Sequence, residues 1–213
     1  LKIRILKLFK KNRGFFLINN TRMFLDYLDP IDREIIENQK YEQKEINFLC
    51  KFIQSNNIEY FLDIGANCGY YSIKLSNSFS YLKIIAFEPN KEAAYKFKKT
   101  LHENPDLSKQ IQLKNYGLSD SMGKLEMTSL EKFGYLQTGG SEIISSKKKK
   151  IIKTKTFICD FKVGSREINL VSKNICIKID VEGHELNVIK GLRKTLEQNC
   201  VILQIEIMEN NFV

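Results

Sequence analysis

The sequence predicts an α/β fold with a doubly wound, mostly parallel sheet, and three observations carry that expectation. Short apolar runs of strand length, YFLDI, KIIAF and NICIKID, alternate with longer stretches of helical spacing. The first run enters a glycine turn, GANCG, of the kind that joins a buried strand to a helix. Four successive runs carry an acidic residue at or near their carboxyl ends, where such sheets bind ligands.

The elements follow in order. The basic opening LKIRILKLFKKNRGFF reads as a frayed or docked segment. Its second reading is an amphipathic helix, with Ile3, Leu6 and Phe9 set among lysines, making weak contact with an anionic membrane surface. Asp29-Pro30 marks a helix start, and the chain to about Asn56 carries Ile46, Leu49, Phe52 and Ile53 at helical spacing. Residues 1–56 are thus expected as a basic, helical lead-in, and 57–213 as the ligand-binding domain. There the expected order is a strand ending at the glycine turn, a helix from Tyr71, a strand over 83–87, a helix over 91–104 and a strand over 111–118. Residues 121–172 are more polar and β-leaning and read as an insertion with hairpin character. A strand over 174–180, a helix over about 184–198 and a strand over 201–207 complete the alternation, which specifies a parallel sheet covered on both faces.

Composition sets limits on function. The chain has 213 residues, 43% hydrophobic and 28% charged, enough for one domain with a sizeable core. A formal charge of +9 favours phosphate-bearing, acidic or membrane-surface partners. Five cysteines, scattered without a CxxC pair, argue against a zinc site and suggest reduced thiols, so a cytoplasmic setting is expected. No apolar run approaches the roughly 20 residues that span a bilayer.

The acidic strand ends are Asp63, Glu88, Asp120, and Asp180 with Glu182. Carboxylates add nothing to a sheet interior, so a polar, nucleoside-like ligand is the expected reason for them. Glu88 lies about 20 residues beyond the glycine turn, where an acid accepts hydrogen bonds from ribose hydroxyls. A dinucleotide fingerprint starting at Gly65 requires glycine at 67 and 70, where the chain has Asn67 and Tyr70. Asp63 before the turn would repel phosphate and suits a cationic cofactor better, and S-adenosylmethionine carries both positive groups and a ribose.

In this order and at this spacing, FLDIGANCGYYS, AFEPN, NYGLSD and KIDVEGHELNVIKG resemble the FkbM family of S-adenosylmethionine-dependent methyltransferases. YEQKE at 41–45 resembles that family's N-terminal pattern, so the similarity runs over roughly residues 20–208. The resemblance implies the class I methyltransferase sheet, and the sequence as given is expected to stop short of that sheet's C-terminal antiparallel strand pair, as a fragment or as a shortened sheet. The resemblance also implies that Asp63, Gly65, Ala66, Asn67 and Gly69 shape the pocket for the methionine moiety, that Glu88 binds the ribose, and that Leu118, Ser119 and Asp120 border the adenine.

The chemistry is then expected at KIDVEGHE, where Asp180, Glu182 and His184 are the candidates to position or deprotonate an acceptor hydroxyl. The resemblance implies O-methylation of a saccharide precursor or small metabolite. Asp180, Glu182 and Glu206 offer oxygen ligands to a hard divalent ion, but no ligand spacing requires a metal. Lys147 to Lys150, with Lys153 and Lys155, reads as a solvated loop or an anion-attracting one. An RNA methyltransferase is the second enzymatic reading, against which the chain has IDVEG where base N-methylation goes with Asn/Asp-Pro-Pro-aromatic, and no specific nucleic-acid partner is expected. A non-catalytic binding module is the third, against which the glycine turn and Glu88 are both retained. The sequence leaves the oligomeric state open.

Overall fold

The computed structural model describes residues 12–132, 135, 136, 138, 140–143 and 154–207. Strands β1 (Arg13–Ile18) and β2 (Thr21–Asp26) pair antiparallel. Their turn is Asn19-Asn20, both at positive φ (45° and 69°), the primed geometry that matches strand twist. Thr21, Met23 and Leu25 point inward and the residues between them outward, the period of a half-buried strand. The expectation of a helical lead-in includes no strand here, although an Asn-Asn pair stands between two alternating runs. Residues carrying the Ile3, Leu6 and Phe9 spacing lie outside the described ones.

Helix α1 (Pro30–Asn38) starts where the Asp29 carboxylate accepts from the Ile31 N–H at 3.1 Å, with Pro30 in the first turn. It stops at Gln39, which turns left-handed (φ 56°). Helix α2 (Gln43–Ser55) buries Ile46, Leu49 and Ile53 along one stripe. Next come β3 (Tyr60–Ile64), α3 (Tyr70–Ser78), β4 (Lys83–Phe87), α4 (Lys91–Glu103), α5 (Pro105–Gln110), β5 (Ile111–Lys114) and β6 (Gly117–Ser119). A β-rich stretch follows, made of β7 (Gly123–Lys132), β8 (Tyr135–Leu136), β9 (Glu142–Ile143) and β10 (Thr154–Val163), with the short α6 (Gly164–Glu167). The described chain closes with β11 (Asn174–Ile179), α7 (Glu185–Glu197) and β12 (Cys200–Ile205).

The central sheet runs β12-β11-β3-β4-β5 with every neighbouring pair parallel. This is the α/β doubly wound class expected, and the strand order reverses beside β3. Side chains alternate between two covered faces. Phe61, Ile84, Ala86 and Cys176 meet Leu49, Ile53, Ile73 and Phe97 of the helices on one side. Leu62, Ile64, Phe87, Ile177 and Ile179 meet Val188 and Leu192 of α7 on the other. Burial on both faces is why these strands read as unbroken apolar runs.

One expected strand is two. The stretch 111–118 leaves the central sheet after Lys114, and β6 pairs parallel with β10 in a second sheet. Asn115 makes the break, because its Nδ2 donates to the Glu88 carbonyl at 2.7 Å and ties the turn to the end of β4. Gly117 then passes under the Phe161 ring, which stands 2.3 Å from where a Cβ would sit.

The second sheet is built on β7 and β10, antiparallel from Gly123 opposite Phe161 to Leu130 opposite Thr154, with β9 alongside β7. Met127, Cys159 and Phe161 form its small core. Lys147 to Lys150 and Lys153 lie outside the described residues, and Lys155 is on β10. Among the described residues no helix is long and apolar enough to cross a membrane.

Candidate active site

The loop after β3 wraps the end of β4. The N–H groups of Gly65 and Ala66 both donate to the Phe87 carbonyl, at 3.0 and 3.1 Å. Gly65, Asn67 and Gly69 all have positive φ (83°, 49° and 82°). The space each glycine leaves is used by the protein itself. A Cβ on Gly65 would lie 1.8 Å from the Asp180 carbonyl oxygen, and one on Gly69 would lie 2.3 Å from the Phe97 ring.

Beyond this turn, at the carboxyl ends of β3, β4 and β11, a cavity opens to solvent. Of the twelve residues given a cofactor-binding or catalytic role from sequence, seven line it: Gly65, Asn67, Glu88, Leu118, Asp180, Glu182 and His184. Five do not. Ala66 is packed in the core, and Gly69 caps α3. Asp63 is wholly buried and accepts from the Ser72 N–H (3.2 Å) and hydroxyl (2.6 Å), so its carboxylate braces the start of α3. Ser119 is buried behind the wall, and Asp120 is exposed and held by Asn187.

Glu88 is the most constrained of the lining acids. Its two oxygens accept from the Asn67 and Asn90 N–H groups, each at 2.8 Å, which locks the glycine turn to the end of β4. Burial pushes its pKa up to about 7, against the pull of those two hydrogen bonds. Each oxygen keeps a lone pair for a ligand hydroxyl.

Asp180 follows β11 and is ion-paired to a residue the sequence reading overlooked. Lys178 Nζ donates to its carboxylate at 2.7 Å and lies 4.8 Å from the centre of the Tyr71 ring. Burial works against the Lys178 charge, but the Asp180 and Asp63 carboxylates outweigh it and hold the pKa above the ordinary lysine value. Two further acids crowd Asp180. The neighbouring Asp180 charge, then burial, pushes Glu206 up to about 7. Burial, then Asp180, raises Glu182, whose backbone is left-handed (φ 53°). Among the described residues no group of three or more histidine, cysteine or acidic side chains is arranged to hold a metal ion.

The remaining walls come from far along the chain. Tyr41 enters from the loop between α1 and α2, Phe161 from β10, and Thr138, Gly140 and Ser141 from the β-rich stretch between β7 and β10. Thr138 is fastened by a buried ionic network. Its N–H donates to Asp29 at 2.9 Å, and Lys96 bridges Asp29 (3.3 Å), Asp32 (2.6 Å) and the Thr138 hydroxyl (3.0 Å). Burial drives the Asp32 pKa up to about 6 even beside Lys96. The Thr138 and Asn67 side-chain oxygens lie 2.9 Å apart, so this β-rich stretch meets the glycine turn directly. His184 stands opposite, with Nε2 2.9 Å from the Ser119 hydroxyl and its ring edge-on to Phe161 at 5.7 Å.

A Lys inside a strand and a Tyr in a loop give no sequence signal of this kind. Thr138 sits in a Gly-rich loop whose composition says only that it turns. Glu206 was noted in the sequence as an oxygen ligand and lines the cavity here.

Known proteins with similar sequences and structures point the same way. Over 172 residues the chain is 30% identical to the hexuronic acid methyltransferase AglP of Haloferax volcanii, covering 80% of this chain and 64% of that one. A crystal structure of methyltransferase FkbM from Methylobacillus flagellatus superposes with a TM-score of 0.50 at 18% identity, covering 70% of this chain and 32% of that one. The chain therefore spans less than two thirds of the length of either relative. The methyltransferase FkbM domain matches residues 63–212, more than half of the chain. The chain belongs to the FkbM methyltransferase family.

Proposed function

We propose that this protein is an S-adenosylmethionine-dependent O-methyltransferase acting on a hydroxyl of a saccharide or small metabolite. The observation that carries this reading is Glu88, which lines the cavity at the end of β4 beside the glycine turn with its carboxylate already oriented by two backbone N–H groups. A carboxylate so placed suits a pair of vicinal hydroxyls such as those of a ribose. The lining suits the rest of the cofactor, since it pairs Leu118 and Phe87 with acidic groups suited to a cationic ligand.

When bound, the cofactor supplies a methyl group on a sulfonium centre. The chain's own residues do the rest. Glu88 accepts from the ribose, Leu118 and Phe161 give apolar cover, and Asp180, fixed by Lys178, orients the acceptor hydroxyl. Glu182 and His184 stand at the same rim as proton acceptors. The hexuronic acid methyltransferase among the relatives supports a saccharide acceptor.

Incubation with methyl-labelled cofactor and a panel of sugar nucleotides and extracted glycans tests the reading. Label transferred to a saccharide hydroxyl by the parent, and reduced by roughly 10²-fold in Asp180→Asn, is the expected result. Transfer to RNA alone would replace it.

A further inference from the structure

We infer that Ser119 and Asp120 are positioning residues that decide which nitrogen of His184 faces the cavity, making His184 Nδ1 the proton acceptor in the methyl transfer proposed above. The inference rests on that reading for its chemistry, but its geometry stands without it. Ser119 Oγ lies 2.9 Å from His184 Nε2 and 3.2 Å from Asp120 Oδ1. An ionised carboxylate only accepts, so the single Ser119 proton goes to Asp120. Ser119 can then only accept from His184, which places a proton on Nε2. In a neutral imidazole the lone pair is then on Nδ1, for which no protein partner is found among the described residues, in a ring that lines the cavity.

The surroundings hold each member in this role. Asp120 also accepts from Asn187 Nδ2 and the Ser121 hydroxyl, each at 3.3 Å. The Asn187 bond is the main cause that keeps its pKa below the usual carboxylate range, so it is ionised at neutral pH. Ser119 is buried, which leaves its hydroxyl little choice of partner beyond these two. Phe161 packs edge-on against the imidazole and fixes its plane. The charged groups acting on the ring are Asp120 and Glu185, and burial outweighs both, holding the His184 pKa below its ordinary value. The ring is therefore neutral and able to accept at physiological pH.

In the reaction the acceptor oxygen bonds to the methyl carbon as the carbon–sulfur bond breaks, its electron pair going to sulfur. The hydroxyl proton passes to His184 Nδ1. The imidazolium so formed faces Asp120 through Ser119 and later releases its proton to solvent. Asp180, already ion-paired to Lys178, orients the hydroxyl and does not need to take the proton.

Nitrogen-15 NMR of the imidazole in the ligand-free protein tests the assignment without any turnover. The chain has two histidines, and His102 is exposed on α4, so His102→Gln leaves one signal to follow. We expect His184 in the Nε2–H form, a mixture of tautomers in Ser119→Ala, restoration in Ser119→Thr, and a lower His184 pKa in Asp120→Asn. In turnover, Ser119→Ala should lower kcat by roughly 10- to 100-fold while KM for the cofactor stays within about threefold. An Nδ1–H tautomer in the parent, or a Ser119→Ala tautomer identical to the parent's, would overturn the inference. Should Ser119→Ala not fold, the parent spectrum alone decides it. Failure of the methyl-transfer reading would show separately, as a protein that binds no cofactor while its His184 tautomer is as expected.

Discussion

Lys178 donates from Nζ to Asp180 at 2.7 Å, and this ion pair is buried on the lysine side and open to the cavity on the other. Lys178 also stands opposite Asp63 in the β3–β11 register, so one cation serves a core carboxylate and a cavity carboxylate together. The strand pairing sets this arrangement. A shift of one residue would turn Lys178 to the α7 face, among Val188 and Leu192.

Removing the Lys178 charge should therefore cost stability as well as activity. Lys178→Met leaves Asp63 buried without its neutralising partner, and urea denaturation should show a loss of about 3 to 5 kcal/mol, the range for orphaning one member of a buried pair. Adding Asp63→Asn should recover part of it. A Lys178→Met protein as stable as the parent would mean that the charge is solvated in solution.

The β-rich stretch around Thr138 is held by ionic contacts in the same way. Lys96→Met strands Asp29 and Asp32, both buried, and should destabilise by about 3 kcal/mol or more. Because Asp29 also receives the Thr138 N–H, the same change should loosen Thr138 and residues 140–143 and raise amide exchange there. Unchanged exchange at Thr138 and Ser141 would separate the network from the cavity wall.

Most of the central sheet was legible because its strands are buried on both faces, and the chain writes such strands as contiguous apolar runs. Asp63, Glu88 and Asp180 interrupt or follow those runs, which is why they stood out. What stayed hidden depends on distant partners. Lys178 reads as a solvated lysine until β3 and β11 are paired, and Asp120 reads as a strand-end ligand until Asn187 captures it outside the cavity. The swing of β6 to β10 turns on Asn115 reaching the Glu88 carbonyl, a contact between residues 27 apart that no local pattern announces. The hairpin at 13–26 was hidden by its basic flank, though its Asn-Asn turn was visible.

Glycine at 65 is required by sterics and backbone geometry together. Gly65→Ala would push a methyl into the Asp180 carbonyl and hold an L-residue at φ 83°. The backbone conformation alone costs roughly 1 to 2 kcal/mol, and parting the loop from Asp180 adds to it. The expected outcome is a lower melting temperature and weaker cofactor binding. A variant with parental stability would show that the loop and Asp180 are not packed this closely.

Glu88 should leave a signature in the pH dependence of stability. Burial raises its folded pKa from 4.5 to about 7. A raised carboxylate contributes stability that is fully present below the unfolded value and is lost as pH rises through the folded one. Between pH 4.5 and 7 the parent should lose on the order of 3 kcal/mol through this group, at 1.36 kcal/mol per unit. Glu88→Gln removes the titration, so the difference between the two stability curves should change across that window. A difference independent of pH would mean that Glu88 ionises normally.

The cofactor site is tested most directly by calorimetric titration of the protein and of Glu88→Ala with S-adenosylhomocysteine, with NAD as the comparison ligand. S-adenosylhomocysteine should bind at roughly micromolar levels and NAD should not bind, and Glu88→Ala should lose about tenfold or more, since a hydrogen bond to a charged group is worth about 1.5 to 3 kcal/mol. Equal S-adenosylhomocysteine binding by Glu88→Ala, or NAD binding as tight as that of S-adenosylhomocysteine, would contradict the assignment of Glu88 and of the cofactor.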